Sequence, residues 1–427
     1  MTYTFARWAD GRLPRCAAIT IALALGTSAA RAQNYSVTDL GSLGGAASLG
    51  FGLNNLGRVV GASDVETFAL HGFFWDGGMT EIAPLPDDRE CHAFDVNDDG
   101  RTVATSFNLG ALTTHGLSWQ NGQTTDLGDI APHGVNSAGV IVGYLSQMEG
   151  DLWVDRAARW DQGVITELDS LGGAFCYAAA IADSGRVVGW SYTGGDQIIR
   201  ATLWQDDVPR DLGTLGGTDS QAYDLNEDGQ VVGYSDTADG EPHAFLYVLA
   251  QNGNVLERRD LGTLEDGYSY AYGINAAGDV VGTADGVAVM WRDGQIADLN
   301  SVLPPESGWR LDVAWAINDG GAIVGTGIHK GQKRAYLLQP IGGVNCDAIN
   351  KLAAKCKRGQ GHVTAKVKST LEQGTSLTLL LDNADARVVA VNAKGKAKAT
   401  WTNVPPGRHE VCIQECPQLC DAAKCRP

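Results

Sequence analysis

The sequence predicts an all-β fold. We expect a seven-bladed β-propeller of four-stranded antiparallel blades, closed by the N-terminal strand, and a small Cys-rich β-sandwich-like C-terminal domain. A turn motif, Asn-x-x-Gly, recurs seven times with its glycines 39 to 49 residues apart, and Ala182 replaces the asparagine once. Between the turns lie short β-branched runs without helical periodicity. Four strands in a repeat of roughly 40–50 residues are typical of propeller blades. The glycines are Gly57, Gly100, Gly139, Gly185, Gly229, Gly278 and Gly321.

Residues 211–247 show one repeat most clearly. Asn226-Glu-Asp-Gly229 predicts a strand reversal, because asparagine bonds its own backbone and glycine accepts a positive φ. A strand, AYDLN, precedes the turn and a second, QVVGYS, follows it. A polar loop leads to a third strand, HAFLY, and another turn leads to a strand ending in DLG.

We call the residues at the same position of successive blades a column. Two columns of charged residues support this register. A basic residue opens the third strand of six blades, with Val287 in the sixth, and an acidic residue occupies one place in the DLG strand. Asp39 has no basic partner upstream and Arg334 has no acidic partner downstream in these columns, which closure of the ring by the first strand would explain. Sevenfold repetition favours structural pairs over catalytic groups. The basic column contains His71, His115, Arg156, Arg200, His243 and Arg334. The acidic column contains Asp39, Glu81, Asp126, Glu167, Asp211, Asp260 and Asp298.

Composition and charge divide the chain. Residues 1–32 are typical of a secretory signal peptide, with arginines, an apolar run and the small-residue site before Gln33. Residues 33–343 form the predicted propeller and 344–427 a disulfide-rich β domain, entered by a short helix over 346–356. Residues 33–344 carry 15 Lys and Arg against 42 Asp and Glu, net −27, whereas residues 345–427 carry 13 against 7, net +6.

This charge pattern restricts the partners. The acidic propeller argues against nucleic acid, whose phosphates need clustered basic residues. The basic tail could bind acidic polymers or the propeller itself. No stretch after the signal is long enough for a membrane span. We therefore expect a secreted, extracellular or periplasmic monomer that needs no cofactor.

Cysteine usage fits an oxidising compartment. Eight cysteines follow the signal, and six of them lie in the tail, where three disulfides are favoured over a zinc site because paired histidines are missing nearby. Cys91 and Cys176 share one column with serines. They would meet as a disulfide across shortened blade 3, or they are two buried free thiols. The tail cysteines are Cys346, Cys356, Cys412, Cys416, Cys420 and Cys425.

The repeats resemble a known family. The recurring DLGxLGG, INxxGxVVGxS and HAFLW, with His243-Ala-Phe245 as the name-giving motif, are similar to the HAF-repeat family of extracellular bacterial proteins over about residues 36–340. Departures include Arg for His in three blades and Val287. The resemblance implies an extracellular propeller-like array. It implies no activity, since function depends on the site and not on the fold.

Two turns also match the opening of a calcium loop. Asp95-Val-Asn-Asp-Asp-Gly100 and Asp224-Leu-Asn-Glu-Asp-Gly229 have the D-x-N-x-D-G pattern, but Ser106 and Ser235 stand where the bidentate carboxylate belongs. A plain hairpin turn is therefore favoured and no metal is expected. Motifs for serine hydrolases, zinc peptidases, nucleotides or dinucleotides do not occur in a fitting context.

The candidate ligand-binding residues cluster around the channel. His92, Tyr177 and Tyr270 share one position of the innermost strands with Gln221, while His133 and Trp153 belong to blade 3 and Trp309 to the last connector. Aromatic platforms suit sugar faces, whereas the alternative is ordinary core filling.

Three functions follow from these residues. The first is a binding module for a cell-surface polysaccharide or a protein. The alternative is a polysaccharide lyase whose catalytic residues would be His92 or His133 with Tyr177 or Tyr270, one residue removing a proton and the other donating one. A purely structural role is the third.

Overall fold

The structure is a computed structural model. It describes residues 35–66, 69–108, 110, 113–150, 152–304, 306–341, 348–357, 361–371, 376–382, 385–402, 404–413 and 416–425. The predicted signal peptide, 1–32, lies outside them. No helix of the described residues is long and apolar enough to span a bilayer.

Seven four-stranded antiparallel sheets follow one another along the chain. One 3-10 helix, Leu299–Val302, precedes the last of them. The strands of the first four sheets, with the strand before them, are β1 (Tyr35–Asp39), β2 (Gly44–Leu53), β3 (Val59–Val65), β4 (Leu70–Trp75), β5 (Met79–Ile82), β6 (Glu90–Val96), β7 (Thr102–Asn108), β8 (Thr113–Gln120), β9 (Gln123–Gly128), β10 (Ile130–Val135), β11 (Ile141–Glu149), β12 (Leu152–Asp161), β13 (Val164–Glu167), β14 (Gly172–Ile181), β15 (Val187–Thr193), β16 (Ile199–Gln205) and β17 (Val208–Asp211). The strands of the last three are β18 (Gly216–Leu225), β19 (Gln230–Thr237), β20 (Pro242–Leu249), β21 (Val255–Asp260), β22 (Ser269–Ile274), β23 (Val280–Ala284), β24 (Val287–Arg292), β25 (Gln295–Asp298), β26 (Trp309–Ile317), β27 (Ile323–His329) and β28 (Gln332–Pro340).

Strand β1 completes the seventh blade. It pairs antiparallel with β28, from Tyr35 opposite Pro340 to Asp39 opposite Tyr336. The first strand of each blade contacts the first strand of the next, and β2 contacts β26, so these innermost strands form a closed circle. The predicted seven blades and their closure by the N-terminal strand are confirmed. Strand β1 covers the edge of β28 that would otherwise be free, and it ties the start of the propeller to its last blade.

A ring of asparagines joins the blades at the turns. In each turn the asparagine Oδ1 accepts a backbone N–H of its own hairpin, as from Arg58 to Asn54 at 2.9 Å. The Nδ2 of Asn54 then donates to the carbonyl oxygen of Asn97 in the next blade, at 2.9 Å. Six turns form this link, and the last of them returns from Asn318 to Asn54. The donors are Asn54, Asn97, Asn136, Asn226, Asn275 and Asn318.

Blade 4 lacks this asparagine. Ala182 takes its place, and the buried Arg186, four residues later, donates from Nη2 to the carbonyl oxygen of Glu227 at 2.9 Å. A guanidinium therefore supplies the link between blades 4 and 5 that an amide supplies elsewhere.

The HAF alanine lies where the next blade docks. The N–H of Ala244 donates to Ser269 Oγ at 2.8 Å, and that hydroxyl donates to the Gly262 carbonyl at 2.7 Å. The same contact joins Ala201 to Ser220 and Ala335 to Ser48. A small residue is required here because the serine of the adjacent blade approaches the backbone closely.

Cys91 and Cys176 occupy this serine column, and both thiols are free and buried. The Sγ of Cys176 accepts the Ala157 N–H at 3.1 Å. Cys91 packs against Gly72 of blade 1, and burial raises its pKa to about 12. The hypothesised disulfide is therefore wrong. Each sulfur faces the blade before its own, as the serines do, so the two side chains do not approach one another.

The predicted charged pairs form in four blades. His71 with Glu81, Arg200 with Asp211, His243 with Asp260 and Arg334 with Asp39 lie 2.6 to 4.0 Å apart. The prediction is wrong in blade 2 and in shortened blade 3. His115 contacts the nearly inaccessible Asp88 from the preceding loop at 3.0 Å, and Arg156 contacts Glu149 from its own long hairpin at 2.9 Å. In both blades a nearer carboxylate replaces the column partner.

The C-terminal segment forms two antiparallel sheets, with strand orders β29-β30-β33 and β32-β31-β34-β35. A shared core containing Val363, Leu377, Trp401 and Val411 confirms the predicted β-sandwich-like arrangement. The strands are β29 (Ile349–Lys357), β30 (His362–Ser369), β31 (Ser376–Leu381), β32 (Asp385–Ala390), β33 (Lys396–Trp401), β34 (Gly407–Ile413) and β35 (Cys416–Cys425).

The helix predicted over 346–356 is wrong, because β29 occupies most of that segment and pairs with β30. Two disulfides form, Cys356–Cys425 and Cys412–Cys420. Cys416 is also disulfide-bonded, and Cys346 lies outside the described residues. The part of the tail that is described contains one group of potential metal ligands, Glu410 with Cys412 and Cys420. Its sulfurs are bonded to each other, so disulfides replace the zinc alternative there.

Candidate ligand-binding channel

Every innermost strand carries a β-bulge three residues before its Asn-x-x-Gly position. The pairing shifts there in all seven blades, as between Ala93 and Asp95. A bulge leaves one residue unpaired and turns its side chain. The preceding residue is fully buried in most blades, whereas the bulged residue stays partly exposed, which places it on the channel side. The bulged residues are Phe51, Phe94, His133, Ala179, Tyr223, Tyr272 and Trp315.

Six of these side chains form an aromatic belt across successive blades. Phe51 contacts Phe94 and Trp315, with ring centroids 5.6 and 5.9 Å apart. Tyr272 contacts Trp315 at 4.5 Å and Tyr223 at 5.4 Å. Phe94 stacks on His133 at 4.2 Å. Ala179 of blade 4 is the one bulged residue without a ring. The sequence did not lead us to this position, although it lies three residues before the first residue of the turn in every blade.

The gap at Ala179 is filled by Tyr177, which hydrogen-bonds His133. The hydroxyl of Tyr177 donates to Nε2 of His133, with Nδ1 of that ring 3.4 Å from the carbonyl of Ala131, so Nδ1 carries the proton in this arrangement. Burial lowers the pKa of His133 to about 4 and raises the pKa of Tyr177 well above its usual value. Both groups are therefore neutral at pH 7. The structure thus brings together one of the histidine–tyrosine pairs proposed from the sequence.

A second layer of aromatic side chains lies beyond the belt, away from the turns. Tyr177 stacks on Trp190 at 5.4 Å with an interplanar angle of 5°, and on Tyr144 at 4.8 Å. Tyr234 meets Tyr270 at 5.0 Å. We call these five partly exposed residues of blades 3 to 6 the aromatic crescent. At the second-strand position that Tyr144, Trp190 and Tyr234 share, the remaining blades have smaller side chains, namely Ala62, Thr105, Thr283 and Thr326.

The other candidate residues lie in different surroundings. His92 packs among Phe51, Phe94 and Phe107, and burial lowers its pKa. Gln221 accepts a hydrogen bond from the hydroxyl of Tyr223 at 3.1 Å.

The two tryptophans do not join the crescent. Trp153 is 48% exposed near the end of the long β11–β12 hairpin. Trp309 stacks on His329 at 4.5 Å, and that histidine contacts Asp39 of the closing strand at 2.7 Å. Within the described residues neither tryptophan has a ring contact with the crescent.

The turn end of the channel is acidic. A cavity of about 360 Å³ is lined by residues of all seven blades. Asp95 accepts the N–H groups of Val96 and Val135, and Asp224 those of Leu225 and Ile274. The rim carries the exposed Asp98, Asp183, Glu227 and Asp319.

These two aspartates join blades rather than completing calcium loops. Burial raises the pKa of Asp95, and it raises that of Asp224 to about 7. Each carboxylate bonds an N–H of its own blade and one of the next. The turns beside them close with ordinary hairpin bonds, such as Gly100 N to the Asn97 carbonyl at 2.9 Å.

Solved structures similar to this chain are propeller proteins. The WD40 β-propeller domain of Doa1 is 15% identical, with a TM-score of 0.42 over 70% of this chain and 97% of that one. A virginiamycin B lyase from Staphylococcus aureus with quinupristin is 15% identical, with a TM-score of 0.41 over 71% and 99%. TolB from Acinetobacter baumannii is 13% identical, with a TM-score of 0.36 over 66% and 79%. Similarities this low give no information about activity.

Sequence comparison gives a family without an assigned role. No curated protein matches the chain significantly. Residues 133–354, just over half of the chain, match the model of a family described as proteins of unknown function, DUF3466. The matched region begins at His133 and ends within β29. The chain belongs to the DUF3466 family.

Proposed function

We propose that the protein is an exported binding module whose propeller holds a carbohydrate against the aromatic crescent. The signal-like residues 1–32 and the disulfides support export. The resemblance of the repeats to the HAF-repeat family also supports an extracellular location. The proposed domains are residues 33–343 for the propeller and 344–427 for the disulfide-rich domain.

One observation carries the proposal. Five large aromatic side chains, including Trp190 and Tyr234, stay partly exposed on the two innermost strands of blades 3 to 6. Aromatic rings stack on the C–H faces of sugars, while tyrosine hydroxyls and the amide of Gln221 can hydrogen-bond sugar hydroxyls. Apolar platforms with a few polar groups are typical of small-molecule sites.

Removing a crescent ring should weaken binding. On a glycan array, we expect the protein to retain a defined subset of oligosaccharides, and Trp190→Ala and Tyr234→Ala to lower affinity for them about 3- to 10-fold each, since one aromatic contact is worth roughly 0.5–1.5 kcal/mol. Tryptophan fluorescence titration with a retained oligosaccharide measures this change.

Three further variants sharpen the test. Leu256→Ala, 70% exposed on outer strand β21, is the surface control. Trp153→Ala and Trp309→Ala ask whether the hairpin and the connector contribute to binding. Retention of no glycan, or equal loss in the Leu256 variant, would contradict the proposal.

A polysaccharide lyase is the second candidate, favoured by the Tyr177–His133 hydrogen bond. Neutral His133 could accept a proton at Nε2, and Tyr177 could donate one to the leaving oxygen once a sugar displaces their mutual bond. His92 and Tyr270 are the other two candidate catalytic residues. Within the described part of the chain no hydrogen bond joins them.

Lyase activity leaves an unsaturated product that absorbs in the ultraviolet. Incubation with a panel of uronic-acid polysaccharides should raise the absorbance, and His133→Ala should abolish the rise while Trp153→Ala leaves it. Tyr177→Phe should lower the rate and keep binding, since the ring remains. An unchanged absorbance across the panel removes this candidate and leaves the binding module.

A further inference from the structure

The three-stranded sheet of the C-terminal domain presents one face made mainly of lysine. Its register places Lys351 opposite Lys368, and Lys368 opposite Lys396. Lys366 and Lys398 face each other on the same side. None of the eleven paired positions of this face holds an acidic residue. We call the following side chains the lysine face: Lys351, Lys355, Lys357, Lys366, Lys368, Lys396 and Lys398.

This arrangement works against the stability of the sheet. Like charges directly opposite one another on neighbouring strands are destabilising. All seven lysines are exposed, and none forms an ion pair with a described residue. The opposite face packs Val363, Val367 and Trp401 into the core and would fold equally well under a mixed-charge surface. Folding therefore gives no reason for seven uncompensated ammonium groups, whereas a polyanionic ligand does.

A groove runs across this face. It encloses about 700 Å³ and is lined by Lys351, Lys366, Lys368, Lys396 and Lys398. Its remaining walls include Ala353 and Val389, with the amide of Asn392. A ligand in this groove would meet a charged floor with apolar patches between the ammonium groups.

The spacing of the charges suits a linear polymer. Neighbouring strands lie about 4.8 Å apart, and alternate residues on one strand about 6.6 Å apart, so the ammonium groups form a two-dimensional lattice. A chain with one anionic group per repeat can contact several lysines at once. Lysine supplies mobile point charges, which suit repeated carboxylates or sulfates without fixed geometry.

Nucleic acid fits this face less well. Its register positions hold no arginine for bidentate phosphate contacts and no Phe, Tyr or Trp ring for base stacking, and His362 is their single ring. A three-stranded sheet is also wider than the helix or two-stranded ribbon that enters a major groove. We propose that the lysine face is a second binding site, independent of the propeller channel, for an anionic polysaccharide bearing carboxylate or sulfate groups.

The test uses the full exported chain with polygalacturonate and heparin as probes. We expect both to bind, with affinity falling steeply as salt rises because bound counterions are released and charges are screened. The triple variant K366Q/K368Q/K398Q should bind at least about tenfold more weakly. The matched control R89Q/K330Q/K333Q removes the same charge from exposed residues of the propeller and should bind as the unaltered chain does. Equal thermal unfolding of both variants shows that folding is intact.

Each contrary outcome is distinct. Equal weakening in the two triple variants would mean that net charge alone attracts the probes, and absence of binding would overturn the site. Tighter binding of single- or double-stranded DNA than of either polysaccharide would assign the face to nucleic acid instead. The Trp190→Ala variant should bind the anionic probes normally, so failure of the channel proposal and failure of this one are separable.

Discussion

Replacing Asn318 with alanine should lower the free energy of unfolding by about 2–3 kcal/mol, because this side chain closes the asparagine ring. Its Nδ2 donates to the Asn54 carbonyl at 3.0 Å, and its Oδ1 accepts the Ala322 N–H at 2.9 Å, with the residue 7% exposed. Alanine leaves the N–H of Ala322 without its partner and removes the link between blades 7 and 1. Urea denaturation followed by tryptophan fluorescence measures the loss.

Blade 4 supplies the control for this argument. There an alanine is tolerated because Arg186 reaches the next blade, whereas Ala322 holds the corresponding position in blade 7. We therefore expect Arg186→Ala to destabilise the protein, and Ala182→Asn to relieve much of that loss by restoring an amide at the turn. The exposed Asn252→Ala should change stability by about 0.5 kcal/mol or less. Equal effects of the Asn318 and Asn252 substitutions would contradict a closing role for the ring.

The repeat could be predicted because turn chemistry is local. Asparagine and a positive-φ glycine mark each reversal, and Gly57 and Gly229 have φ of 80°. The number of turns in the sequence therefore gave the number of blades. Asp39 and Arg334 were the two charged residues without a partner in their own repeat. They identified the closing strand, because in a closed ring the first strand of the chain completes the last blade.

The aromatic belt could not be predicted from alternation alone. A bulge inserts one residue and reverses the side that every later side chain faces, so a strict period of two assigns Phe94 or Trp315 to the wrong side. His133 was chosen from the sequence because blade 3 is irregular, and Tyr177 because it shares a strand position with His92 and Tyr270. Their contact depends on the missing aromatic side chain at Ala179.

The errors have similar causes. A shared column placed Cys91 and Cys176 at equivalent positions, but equivalence in a propeller means that each side chain faces the preceding blade. The segment around Leu352 contains good helix formers, and pairing with β30 overrode that propensity. Asp88 and Glu149 replaced the column acids because a salt bridge forms with the nearest carboxylate, which the column does not specify.

Replacing Tyr35 with alanine should lower the free energy of unfolding by about 3–5 kcal/mol, more than the loss of the Asn318 side chain. Tyr35 is 1% exposed and belongs to the core formed with Leu311, Tyr336 and Leu338 of blade 7. Its strand has only five residues and a single pairing partner, β28. Losing the ring therefore removes most of the apolar surface that holds β1 in place. The exposed Tyr268→Ala, 42% accessible, is the matched control and should cost about 0.5 kcal/mol or less.

Tyr247 separates closure from simple packing. It is also a fully buried tyrosine, but its strand β20 lies between two others in blade 5. Alanine at either position removes a comparable volume, so urea denaturation should show similar losses. Only Tyr35→Ala should release the N-terminal strand in limited proteolysis before the rest of the chain is cut, because detaching β1 costs one edge pairing while the other blades stay intact. Cleavage near residues 35–39 in both variants, or in neither, would mean that β1 does not act as a separate closing strand.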